Sequence, residues 1–362
     1  MALQRGRRRS FGGRRPVRWP TVAVAAVLAV AVGAEGRTDD SGYLPADERS
    51  YAVFDAVFLQ RDNAAKERPL VVDAGTPDTT VISGGDPAST IGSGARLLYG
   101  DHGPEDLGWE AGYLGVWNML SNRQVTSANG TLAANSVAFG QQTGMAFADS
   151  AGTTDLATLN SIELNAVWHS YDGGFNRRSG RPAQRYAGYD GGSLDWIGGF
   201  RWVNLEDSAV LAVTPTGAPQ ASTYSARTTS NLFAGQVGVR GRMAFERWGV
   251  EGFAKIGLGG TSLSQSQSLF DVFAPDSPLR PPQSGRTGGM GLVSEMNLSA
   301  VYRITDVWGF RVGYNLFWLT GAALAPDQWV FSTSQEPGIG SSVSGTGSLF
   351  LAGGSLGLEA RW

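Results

Sequence analysis

Two histidines, His102 and His169, are all the imidazole this chain offers, so triad or water-activating chemistry would have to run through them. The nearest approach to a constellation is Glu163, Asn165 and His169 on one face of an alternating segment, with Ser170 beside the histidine. Successive side chains of a strand point to opposite faces, so Ser170 turns away from His169 and is not its nucleophile. His169 reads as an inward-facing residue bonded to its neighbours, and His102, next to Asp101, as a turn residue. Glu163, Glu251, Glu295 and Glu359 share one face and could formally pair for acid–base work, but bases interleave with them, which favours structural ion pairs. Cysteine is absent, which excludes a thiol nucleophile and any cysteine-built zinc or iron–sulfur site. Gly84-Gly85 and Gly353-Gly354 lack the following helix and lysine of a phosphate loop. Asp271 and Asp276 lack the spacing of a calcium loop. No catalytic residue, metal ligand or cofactor is assigned.

The segments that would position such residues are long and alternate in period two. Trp308, Phe310, Val312, Tyr314, Leu316 and Trp318 lie on one face, with Gly309, Arg311, Gly313 and Asn315 on the other. The preceding segment does the same, with Met290, Leu292, Met296, Leu298, Ala300 and Tyr302 against Glu295, Asn297, Ser299 and Arg303. Only Thr305-Asp306 separates the two, which makes a tight hairpin. Similar runs cover 107–119, 158–170, 194–204, 231–243, 248–258 and 350–362, with weaker ones at 51–60 and 91–99. Strands of soluble domains usually stop at about five or six residues, whereas these suit a tilted bilayer crossing. Their apolar faces carry no charge. The opposite faces carry Arg96, Glu110, Glu163, Asp195, Arg201, Arg240, Arg242, Glu251, Lys255, Glu295, Arg303, Arg311, Glu359 and Arg361, besides Asp55. Such strands must close into a barrel, because no backbone group can be left unpaired in lipid.

Tryptophan sharpens this reading. Trp109, Trp168, Trp196, Trp248, Trp308 and Trp362 lie near strand ends on one rim, and Trp117 and Trp318 lie eight and ten residues farther along. Ten residues at about 45° tilt rise roughly 24 Å, the height of the apolar band between two aromatic girdles. Short links (101–106, 245–247, 305–306, and a longer one near 171–192 bracketed by a repeated Tyr-Asp-Gly-Gly) alternate with long ones. The long ones are 61–90, 120–157, 206–229, 263–288 and 322–348, rich in Gly, Ser, Thr, Ala and Pro. The expected fold is all-β: a closed antiparallel transmembrane barrel of about ten strands with a small lumen, short periplasmic turns and long extracellular loops. A hairpin at 209–213 would raise the count to twelve. Met243 and Trp248 face lipid across one turn, and pairing them would set Arg240 opposite Glu251.

The chain start fits export. Residues 1–34 hold seven arginines, no acid and the apolar stretch Thr21–Val32, too short to span a bilayer as a helix. Cleavage after Ala34 would leave a polar segment at 35–50 and a barrel at 51–362. The remainder has 22 bases against 32 acids, a poor partner for nucleic acid. At the other end Leu356, Leu358, Ala360 and Trp362 share the lipid face of an aromatic-terminated strand, the form of signal read by outer-membrane insertion machinery.

Phe54–Asn63 (FDAVFLQRDN), Arg68–Val72 (RPLVV), Leu194–Arg201 (LDWIGGFR), Asn231–Gln236 (NLFAGQ) and above all Thr305–Asn315 (TDVWGFRVGYN) resemble a planctomycete outer-membrane β-barrel family. The similarity covers about residues 50–362 and implies fold and location; the family carries no established biochemical activity. The expectation is a bacterial outer-membrane protein surrounded by lipid, structural or surface-exposed, whose lumen is closed by ion pairs. A narrow porin-like solute channel and an outer-membrane enzyme such as a lipid hydrolase are the alternatives.

Overall fold

The computed structural model describes residues 50–362 apart from 63–65, 77–78, 87–88, 102–106, 173–174, 177–180, 183–190 and 246. The expected export segment at 1–34, the polar stretch after it as far as residue 49, the turn holding His102 and most of the link near 171–192 lie outside the described residues. In chain order the elements are β1 (Ser50–Arg61), β2 (Pro69–Asp73), β3 (Thr79–Ser83), β4 (Ile91–Asp101), β5 (Leu107–Thr126), β6 (Leu132–Ala134) and a short helix α1 (Val137–Gln142). They continue with β7 (Ala148–Asp172), β8 (Phe175–Asn176), β9 (Arg181–Pro182), β10 (Gly191–Pro215), β11 (Ser222–Phe245), β12 (Trp248–Phe270), β13 (Gln283–Arg303), β14 (Trp308–Ala322) and β15 (Gly347–Arg361).

Ten of these close a ring in the order β1-β4-β5-β7-β10-β11-β12-β13-β14-β15, every pair antiparallel, with β15 returning to β1. Closure gives each of the ten a partner on both sides, with the upper end of β13, Gln283–Leu292, in the ladder of β12 alone. The seam is fastened at its base by Ser50 and Trp362, whose backbone N–H and C=O groups exchange hydrogen bonds at 3.0 Å. Ser50, Trp362 and the turn at 304–307 lie on this rim. At the opposite rim β2, β3, β6 and α1 fold over the mouth, β6 pairing with β2 and β7. Ser136 caps α1 by accepting from the Phe139 N–H at 3.3 Å.

Several strands run farther than their patterning suggested. β10 and β11 pair continuously from Gly191↔Ala244 to Val213↔Ser222, so the expected long loop at 206–229 is only residues 216–221. Residues 209–213 form no extra hairpin; they pair with β11 on one side and β7 on the other, which gives ten strands and not twelve. The upper halves of these strands carry Ser, Thr and Ala, which read as loop by composition yet satisfy their backbone within the ladder. In β5 the pairing with β7 slips between Val116 and Met119, and Asn118 takes a left-handed φ of 58°. That bulge turns Met119 inward, although it shares the odd parity of the outward-facing Trp109.

Candidate functional site

The inward side chains stack in three layers. Nearest the terminal rim is a layer of charge. Asp55, Glu110, Glu163, Asp195, Glu251, Glu295 and Glu359 are buried there with Arg96, Arg201, Arg240, Lys255 and Arg311. Arg242 and Arg361 lie at its base with side chains 19% and 16% exposed. Arg303 is half-buried at the rim, lining a cavity of about 20 Å³ with Arg242, Arg247 and Arg361. His169 pairs through its backbone with Asp195.

The pairs form a web. Lys255 Nζ donates to Glu163 Oε1 at 2.6 Å and to Glu110 Oε1 at 3.1 Å. Arg240 pairs with Glu110 and donates to the Tyr51 hydroxyl at 2.7 Å, while Tyr51 donates to Glu110 Oε2 at 2.6 Å. Arg201 and Arg96 share the two oxygens of Glu295, and Arg201 also donates to Ser161 Oγ at 2.9 Å. Below them Arg311 lies 2.6 Å from Glu359 and 3.3 Å from Glu251, and Arg361 lies 2.8 Å from Glu251. Asp55 is held by charge, 3.6 Å from Arg311 and 3.9 Å from Arg96, and neither of its oxygens has a hydrogen bond among the described residues. Burying so many ions costs several kcal/mol each unless they are paired, and the web supplies that pairing.

The expected Arg240–Glu251 contact is not formed. Phe245 pairs with Trp248, a shorter turn than assumed, and this shifts the register so that Arg242 opposes Glu251 and Arg240 opposes Phe253. Arg240 therefore reaches across the lumen to Glu110 on β5.

Above the charge lies a dry layer. Val57, Leu59, Leu114, Val116, Met119, Leu159, Val203, Leu205, Leu232, Val293, Phe317, Leu319, Leu349 and Leu351 fill the barrel as one buried cluster. Set into its upper edge is an ion trio that composition hid: Arg61 Nη1 lies 3.2 Å from Asp155 and 3.1 Å from Asp207. Asp155 and Asp207 fell in assumed loops; their signal was the unbroken alternation Asp155-Ala157-Leu159 and Val203-Leu205-Asp207 leading into secure strands. Asp207 also accepts from the Ala325 N–H at 2.9 Å, which anchors the inward-folded segment 323–329. Over this sits a third, apolar layer including Phe139, Tyr224 and Trp329. Arg68 clamps the segment from the side, donating to the Trp329 and Pro326 carbonyls. On the cap surface, the Thr131 hydroxyl and then the Gly75 N–H hold the Asp73 carboxyl below its ordinary range.

Outside, Trp109, Trp168, Trp196, Trp248, Trp308 and Trp318 are exposed, and Trp117 and Trp362 are half-buried. Tyr99 stands between Trp109 and Trp362, with ring centroids 5.4 and 6.3 Å away. Leu356 and Leu358 are exposed on β15, but Ala360 is buried between its partners Trp308 and Ala52, too small to project past them.

A cavity beside Arg96, Arg201, Lys255 and Glu295 holds about 10 Å³, space for about one water. Among the described residues no group of three His, Cys, Asp or Glu is arranged to hold a metal.

Among solved structures, the outer membrane protease OmpT of Escherichia coli matches with 12% identity over 90% of this chain and 100% of its own, at a TM-score of 0.48. Ail of Yersinia pestis matches with 7% identity over 87% and 99%, at 0.23. A Pseudomonas aeruginosa FadL homologue matches with 10% identity over 87% and 89%, at 0.23. All three scores are low. No curated protein sequence matches the chain. Residues 57–339, well over half of the chain, match one family throughout. Closed ten-stranded barrel and family match together place the protein in the bacterial outer membrane, and the chain belongs to the family described as "Putative beta barrel porin-7 (BBP7)".

Proposed function

We propose that this is a closed, non-conducting outer-membrane barrel that works as a structural or surface-exposed protein through its extracellular cap. The observation that carries this reading is the dry layer around Leu205 and Phe317 stacked on the ion-paired layer beneath it. An ion crossing the lumen would have to break paired charges and then enter an apolar plug, at a cost of many kcal/mol. Purified protein in planar bilayers is expected to give no steady current. Stable, ion-selective steps would move the narrow solute channel, which the family's description favours, to first place.

The finer readings rest on sequence. Residues 1–34 act as an export signal, cleaved after Ala34. The insertion machinery reads the last strand, with Leu356, Leu358 and the terminal Trp362 as its signal. The planctomycete resemblance rests on the quoted motifs, and no enzyme activity is assigned to the chain.

A further inference from the structure

The outward face of β11–β13 changes character abruptly at one level. Phe233, Gly260 and Met290 lie in one register row, and Phe233 and Met290 are exposed members of the lipid band. Beyond that row toward the extracellular rim, the outward positions of β12 are Ser262, Ser264, Ser266 and Ser268, followed by a half-buried Phe270 at the end of the strand. Arg227 on β11 and Arg286 on β13 flank them. Arg227 pairs with Ser266, and Arg286 pairs with Ser264, so the two arginines bracket adjacent outward serines of β12. Two strand spacings and a two-residue offset put their Cα atoms about 12 Å apart. Both arginines are exposed, and neither has a hydrogen-bond or ion-pair partner among the described residues. The outward positions of these three strands beyond the row carry no carboxylate; the nearest, Glu206 on β10, opposes Thr229 and makes no ion pair with Arg227 among the described residues.

Height decides what such a surface meets. Arg286 lies four residues past Met290 and Arg227 six past Phe233, roughly 10 and 14 Å farther along the axis at a 45° tilt. Headgroups occupy about 5–8 Å beyond each side of the hydrocarbon core, and arginine side chains lean back toward the interface. Guanidinium groups and hydroxyls are donors with the geometry to fork onto phosphate oxygens. We infer that Arg227 and Arg286, with the serines of β12 between them, form a binding site for the phosphate headgroup of an outer-leaflet lipid. The lipid stands against the barrel wall with its acyl chains over Phe233 and Met290.

The test is native mass spectrometry of the detergent-purified full chain titrated with diphosphoryl lipid A, with phosphatidylcholine, and with inorganic phosphate. The wild type should retain the diphosphorylated lipid, and R227Q/R286Q should bind it about 25-fold more weakly, about fivefold for each arginine near a charged lipid surface. Glu206→Gln, which removes the nearest competing acid, should bind it as tightly or more tightly. Equal binding by R227Q/R286Q and wild type would overturn the site, as would weakened binding in Glu206→Gln. Phosphatidylcholine binding as strongly as lipid A would reduce the surface to ordinary lipid contact, and inorganic phosphate binding as tightly as the lipid would remove the membrane from the recognition. Both arginines are exposed, so folding of the double variant is checked by its unchanged heat-dependent gel shift; if it fails, R286Q alone should still lose about fivefold.

Discussion

Lys255 Nζ sits 2.6 Å from Glu163 Oε1 although their strands, β12 and β7, are separated in the ring by β10 and β11. The contact therefore crosses the lumen and braces the wall from inside. Arg240–Glu110 and Arg201–Glu295 do the same between β11 and β5 and between β10 and β13. A barrel tied only by its hydrogen-bond ladder can flatten; one tied across its interior is held round.

Lys255→Met should be strongly destabilising, because it leaves Glu110 and Glu163 short of their shared cation in a buried site. A loss of about 3–5 kcal/mol is expected, read as a lower temperature for the shift from folded to unfolded mobility in SDS gels. Adding Glu163→Gln should recover part of the loss, and no recovery would mean the carboxylate was never dependent on the lysine.

A double-mutant cycle separates the two possible partners of Arg240. Arg240→Ala with Glu110→Ala should show a coupling of about 2–3 kcal/mol, whereas Arg240→Ala with Glu251→Ala should be close to additive. The reverse result would restore the register with Met243 opposite Trp248.

Leu298 is 62% exposed in the middle of the lipid band of β13, and Ser284 lies on the same face near its extracellular end. Leu298→Arg should cost about 2–4 kcal/mol of barrel stability in lipid, and Ser284→Arg within about 0.5 kcal/mol. Chemical unfolding in vesicles reads both; equal costs would contradict the assigned membrane level.

The bulge at Asn118 invites a backbone test. With φ at 58°, Asn118→Gly should be neutral or slightly stabilising, and Asn118→Val should lose about 1–2 kcal/mol in the same unfolding measurement. Tolerance of valine would argue against the parity change that brings Met119 inside.

Asp73 accepts from the Gly75 N–H at 2.9 Å and the Thr76 hydroxyl at 3.1 Å. Its folded carboxyl titrates below its unfolded counterpart, so these bonds support the β2–β3 turn above the unfolded value and are lost as pH falls through the lowered one. Amide exchange at Gly75 should quicken only in that acid range, and Asp73→Asn should flatten the dependence.

The lower half of the barrel was legible in advance because period two is a local property. Glu295, Arg311 and Trp318 each declare a face through their immediate neighbours, and no knowledge of the partner strand is needed. The upper half was less legible because Ser222–Ser230 and Leu263–Phe270 have the composition of loops. Their strand character comes from ladders already running beneath them. The trio of Arg61, Asp155 and Asp207 was missed for the same reason.

Taken alone, then, the residue order determined that alternating strands with uncharged outer faces must close, and which side chains point into the closure. It left open whom those side chains meet. Arg240 finds Glu110 and not Glu251 because a turn two residues shorter at Phe245–Trp248 resets the register, and because the lumen is narrow enough for long side chains to span it. Such contacts join residues far apart in sequence on strands that never pair. Only closure of the ring, with its curvature and the bulge at Asn118, decides their distance.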